Sequence, residues 1–149
     1  MQSVEIYGLK DVQKRLEGFP DAVRQARGEF FEAAGSELLS AVQHRIGGTG
    51  RVGGVQGRYL GSGKGYAAVR AKAKTELDGY AAGYLTNALE NGHEQQAGRY
   101  VPAIGKRLKE KRVDGKHMYR DTIEEAARLA ERGAREIEKK AMAYLEGNG

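Results

Sequence analysis

Apolar positions recur every three or four residues through Val23, Ala26, Phe30, Ala34, Leu38, Val42 and Ile46, the spacing of one helical stripe. At the rise of an α-helix the run covers about 40 Å. Pro20 needs no donor in a first turn and Asp21 suits the positive end of a helix, so the long helix is expected to begin near Pro20. Gly47 and Gly48 are expected to stop it, whereas Gly28 and Gly35 inside it, each costing up to about 1 kcal/mol relative to alanine, mark a bend or a close helix contact. Upstream, Leu9, Val12 and Leu16 predict a short helix ended by Gly18, and the alternation of Val4, Ile6 and Tyr7 before Gly8 predicts an edge strand.

Past the glycines the period changes. Val69, Ala71, Ala73 and Thr75 alternate with Arg70, Lys72, Lys74 and Glu76, which predicts a strand with one charged face. Asp78 and Gly79 read as a turn, and Tyr80, Ala82 and Tyr84 as the second strand of a hairpin. Thr86 or Asn87 then caps a short helix that ends at Asn91 and Gly92. A loop with a helical turn follows over 95–116. The last helix is expected over 119–145, with a stripe of Ile123, Ala126 or Ala127, Leu129 or Ala130, Ala134, Ile137, Ala141 and Leu145. The fold class is therefore α+β: two long helices bracketing a small antiparallel sheet, with a long basic glycine-rich loop.

Charge sharpens this picture. Residues 38–75 hold no Asp or Glu but carry Arg45, Arg51, Arg58, Lys64, Arg70, Lys72 and Lys74, and 95–116 carries seven Lys and Arg against Glu110 and Asp114. A net charge of +5 makes contact with polyanions plausible through counterion release, although the mixed charges of the terminal helices are those of solvated helix faces. A length of 149 residues allows one domain, and 22 glycines with few aromatics suggest a core completed by partner subunits. No window approaches the roughly 20 apolar residues of a membrane span, and Met1 to Tyr7 lack the layout of a signal peptide, so a protein kept inside a cell is expected. With no cysteine and with His44, His93 and His117 far apart, no structural metal is expected.

Short motifs for chemistry fail on context. Gly48-Thr49-Gly50-Arg51-Val52-Gly53 has the letters of a dinucleotide fingerprint but follows a helix instead of a strand. Gly61-Ser62-Gly63-Lys64-Gly65 evokes a phosphate loop, yet Arg58 stands where its first glycine belongs and Gly65 replaces the magnesium-binding hydroxyl. No cofactor and no catalysis are expected. Glu90 and His93 near a helix end favour a capping or surface role over acid–base chemistry, and His117 reads as a docking turn before the last helix. Tyr59, Tyr66, Tyr80, Tyr84 and Tyr100 lie among the basic residues, a pattern that serves stacking on single strands or packing of the hairpin on the helices.

The order of segments resembles the gene-product-ten-like tail-component family of long-tailed bacteriophages, the tail-completion or head-tail joining proteins. The resemblance covers nearly the whole chain. It is carried by Val4-Glu5-Ile6-Tyr7-Gly8-Leu9, Thr49-Gly50-Arg51, Tyr66-Ala67-Ala68-Val69-Arg70, Leu89-Glu90-Asn91-Gly92-His93, Gly98-Arg99-Tyr100-Val101-Pro102 and Lys116-His117-Met118-Tyr119-Arg120-Asp121. The chain departs from the family in its long glycine loop and in lacking a proline before Thr49. The resemblance implies a non-enzymatic virion part at the neck, where the DNA-filled head meets the tail. It implies a ring of copies, six by tail symmetry, touching a head connector or stopper and a tail terminator or tail tube.

On this reading the loops 47–65 and 95–116, disordered in the free protein, reach partners. The candidate contacts to neighbouring subunits or to channel DNA are Arg51, Arg58, Lys64, Arg70, Lys72, Lys74, Arg99, Lys106 and Arg107. Two rivals remain: a basic nucleic-acid-binding module with no virion role, and a nucleotide-dependent enzyme built on the glycine loop.

Overall fold

A computed structural model of the protein describes residues 9–48, 50–102 and 105–148. The strand expected at Val4 to Tyr7 lies outside them. Helix α1 runs unbroken from Leu9–Ile46, so Gly18 does not end a helix and Pro20 does not begin one. An interior proline costs about 3 kcal/mol in a lost hydrogen bond and a ring clash. Packing against the last helix, α4 (Ile123–Leu145), offsets this cost. Arg15 Nη1 donates to the carbonyl of Leu145 at 3.0 Å, and Gly18 is seated so closely on Tyr144 that a Cβ would overlap its hydroxyl.

The two long helices lie antiparallel and directly against each other, without a sheet between them. From one end to the other, Lys140 pairs with Glu29 at 2.6 Å, Arg132 with Glu37 at 2.8 Å and Arg45 with Glu125 at 2.5 Å. Gly133 lets the Phe30 ring lie across the backbone of α4. The expected α4 stripe is buried at Leu129 and Ala141 and half-buried at Ile137 and Leu145, but Ile123 and Ala134 face solvent.

α1 ends at Gly47, whose φ of +58° is the left-handed conformation that closes a helix with least strain for glycine. Lys116 Nζ reaches the freed carbonyl of Ile46 at 2.6 Å. The segment that reads as a glycine loop then forms one helical turn, α2 (Arg51–Gly54), a strand, β1 (Gln56–Leu60), and a 3-10 turn (Ser62–Lys64). β1 pairs antiparallel with β2 (Ala67–Ala71). This hairpin lies on α1, where Gly28 and Gly35 admit the stems of Lys64 and Arg58, so those two glycines mark close contacts, to a hairpin instead of a helix.

The turn at Asp78 and Gly79 is present, but its strands β3 (Glu76–Leu77) and β4 (Tyr80–Ala81) are two residues each. The hairpin partner of 67–71 is β1, drawn from the glycine-rich segment, not the tyrosine segment, which enters α3 (Ala82–Asn91) instead. Neither Thr86 nor Asn87 caps α3; both lie within it, and Thr86 is buried. The loop expected over 95–116 instead belongs, in its described residues, to a ribbon: β5 (Gly92–Glu94) pairs with β8 (Arg112–Asp114), and β6 (Tyr100–Val101) with β7 (Lys106–Arg107). Among the described residues the strands thus form four separate two-stranded ladders and not one sheet. A core of Val42, Ile46 and Met118, ringed by Val52, Val69, Leu89 and Tyr119, joins α1, the hairpin, α3 and the approach to α4. Complete burial of Met118 and Val42 contributes about 1.5–3 kcal/mol each.

A capped junction and a basic arm

Around Glu90 the end of α3, the root of the ribbon and the start of α4 meet. Both carboxylate oxygens of Glu90 accept backbone N–H groups, Oε2 from Tyr119 at 2.9 Å and Oε1 from Arg120 at 3.0 Å. The side chain caps the turn Arg120–Thr122 that leads into α4, satisfying donors that a helix start leaves unpaired. His117, with φ of +51°, donates its N–H to the carbonyl of Glu90 and accepts from Asp121, so it does form the docking turn.

Beneath the cap, Gln56 is buried with its amide donating to Thr86 Oγ1 at 2.8 Å and to the carbonyl of Val52 at 3.2 Å. Its Oε1 accepts from the Tyr119 hydroxyl, and Thr86 in turn donates to the carbonyl of Ala82 at 2.8 Å. Burial, and secondarily the Glu90 charge, push the Tyr119 phenol up to about 12. This chain of polar groups went unread in the sequence because Gln56, Thr86, Glu90 and Tyr119 are scattered over 64 positions. Only the glutamate beside a helix end gave a signal. A cleft of about 380 Å³ opens beside it, walled by Arg70, Thr86, Asn87, Glu90 and Tyr119.

The nine candidate contact residues separate into groups. Arg58 donates to the carbonyl of Glu32 at 2.8 Å and to Ser36 Oγ at 2.7 Å, while Lys64 pairs with the Glu32 carboxylate at 2.6 Å; both are spent on holding the hairpin to α1. Lys64 holds the Glu32 carboxyl below its usual range. Arg51 pairs with Asp78 at 2.7 Å, and that partner raises the Arg51 guanidinium above its usual value. Arg70 and Lys72 do share the outer face of the hairpin, Arg70 lying 4.2 Å from the Tyr59 ring centroid and Lys72 bonding the carbonyl of Gly54 at 3.0 Å. Lys74 does not extend that face: β2 stops at Ala71 and Lys74 has φ of +54°. Arg99, Lys106 and Arg107 lie on the ribbon, Arg107 bonding the carbonyl of Gly98 at 2.8 Å.

That ribbon is an arm. Bonds from Gln95 N to Lys111 O, Gly98 N to Leu108 O and Leu108 N to Arg99 O continue the ladder between its two paired ends. Gly92 pairs with Asp114 but Tyr100 with Arg107, so the outgoing strand carries one extra residue, a bulge by the Gln96–Arg99 turn. From root to tip the arm extends about 30 Å at the usual strand rise. Its root is fixed: a Cβ on Gly92 would overlap the carbonyl of Val113, and one on Gly115 the carbonyl of Glu90. Its distal strands β6 and β7 pack chiefly on each other. Arg99, Lys106, Arg107, Lys109, Lys111 and Arg112 are all exposed along it, against Glu94, Glu110 and Asp114. Arg112 and Asp114, 3.9 Å apart, are the arm's only ion pair among the described residues.

Among the described residues no cluster of His, Asp or Glu is placed to hold a metal, and no helix is long and apolar enough to cross a membrane. Comparison with family models, with curated proteins and with solved structures gives no match to this chain.

Proposed function

We propose that the protein is a structural virion subunit of the phage neck, which completes the tail and joins it to the DNA-filled head as part of a ring of copies. The observation that carries the reading is the division of labour within the fold. Two long helices, a hairpin and the capped Glu90 junction make a braced body, and an arm of about 30 Å, clamped at its root, leaves it with its distal strands packed chiefly on each other. A chain that functions by docking needs such a body and an element that reaches past it. The resemblance in segment order to the tail-completion family supplies the place and the partners: copies of itself, a head connector or stopper, and a tail terminator or tube.

Of the two loops expected to reach partners, the arm is the better supported. Arg58 and Lys64 are engaged on α1, so 51–64 serves the body, and the reaching element is the arm. Disrupting the gene in its phage or prophage and imaging induced lysates by electron microscopy tests the proposal. Packaged heads beside separate tails are expected. Intact infectious particles would overturn it.

A further inference from the structure

We infer that the arm, residues 92–102 and 105–114, is a binding surface for duplex DNA, gripping the phosphate backbone without reading sequence. On the body the cations that reach across to another element, Arg45, Arg51, Lys64, Arg132 and Lys140, each face a carboxylate within 2.8 Å. On the arm six exposed cations face three acids, and the closest approach is 3.9 Å. A partner that neutralises the arm must therefore bring its own negative charge.

Shape selects among polyanions. A two-stranded ribbon is narrow enough to enter a major groove about 12 Å wide, where cations on both strands reach the phosphates that line it. Tyr100 and Arg107 are cross-strand partners near the tip, so the exposed tyrosine lies beside a guanidinium and not in a row of aromatics. A single-strand site would need successive rings on which bases stack, and the arm carries one. The clamped root at Gly92 and Gly115 holds the ribbon in one direction before it meets the DNA, which reduces the ordering cost of binding.

The inference concerns the isolated full chain and stands apart from the neck reading; a failure here leaves the lysate experiment untouched. Fluorescence anisotropy with a labelled random-sequence duplex of about 20 base pairs, from 50 to 200 mM NaCl, tests it. If all six cations engage, affinity should fall about a thousandfold across that range. Replacing Arg107, Lys109 and Lys111 by Gln should weaken binding at least about tenfold at low salt and flatten the log–log salt slope by about three units. The same replacement at the exposed Arg128, Arg135 and Lys139 of α4 removes equal charge and should change affinity less than about threefold. Circular dichroism confirms that both variants fold. Equal losses in the two variants, no binding at 50 mM salt, or polyglutamate competing as well as duplex at matched charge would each overturn the assignment.

Discussion

One side chain, Glu90, satisfies two backbone donors at the entrance to α4, because each of its carboxylate oxygens accepts a separate N–H group. Replacing it by alanine strands two N–H groups, and we expect a loss of about 1–3 kcal/mol in urea unfolding, with glutamine losing less because its carbonyl still accepts. A Glu90→Ala variant as stable as the parent would mean that water replaces the cap without cost. Tyr119, one step further in, links the junction to pH. Its phenol titrates near 12 in the fold against about 10 in the unfolded chain. A raised value favours the protonated form on folding. This stabilisation is therefore complete below pH 10 and is lost as pH rises from 10 through 12. Stability measured between pH 9 and 12 should fall more steeply in the parent than in Tyr119→Phe. That variant should itself be less stable at neutral pH, since it leaves Gln56 Oε1 without its donor.

Glycines decide how the elements meet, and they act in opposite directions according to what lies beside them. At Gly133 a Cβ would overlap the Phe30 ring, so Gly133→Ala should destabilise by about 1–3 kcal/mol despite alanine's better helix propensity, and Phe30→Leu should recover part of the loss. At Gly83, in α3, a Cβ meets open space, and Gly83→Ala should stabilise by up to about 1 kcal/mol. Thermal melts of the three variants check both signs. The same glycines explain what was legible in the sequence. The α1 stripe from Val23 to Ile46 and the α4 stripe at Leu129 and Ala141 could be read from periodicity, as could the α+β class, the end of α3 at Asn91 and the turn at Asp78. Periodicity failed where tertiary contact set the outcome: the helix passing through Gly18 and Pro20 is held by Tyr144 and Leu145, more than 120 positions away. β1 carries Gly57 and the charged Arg58, so it looked like loop, yet it is held by its partner β2 and by the reach of Arg58 onto α1. For the candidate site, the basic segment 95–116 was visible as charge. Its folding as a ribbon was not, because Tyr100–Val101 and Lys106–Arg107 are too short to show an alternation.

At the scale of the molecule, ion pairs that tie α1 to its neighbours make stability depend on acid. Lys140 lowers the Glu29 carboxyl, Lys64 that of Glu32 and Arg45 that of Glu125. Depressed carboxyls contribute stability that is present above their unfolded values, near 4, and is lost as pH falls through their folded values. The melting temperature should therefore drop on acidification below about pH 4, and less so in a Glu29→Gln, Glu32→Gln, Glu125→Gln triple variant. The arm belongs to a different unit. Its distal strands add little to the body's packing, and the bond from Gln95 N to Lys111 O already closes the proximal ladder. Replacing residues 96–110 by Asn-Gly turns that pair into a two-residue hairpin, for which Asn-Gly is a favoured connection. The shortened chain should keep its helical circular dichroism and melt within about 4 °C of the parent, a shift corresponding to roughly 1 kcal/mol in a chain of this size. It should also lose duplex affinity and fail to support joining of heads to tails in complementation. Collapse of the fold on shortening would show that the arm braces the body, and the separation of a rigid subunit from a reaching element would have to be abandoned.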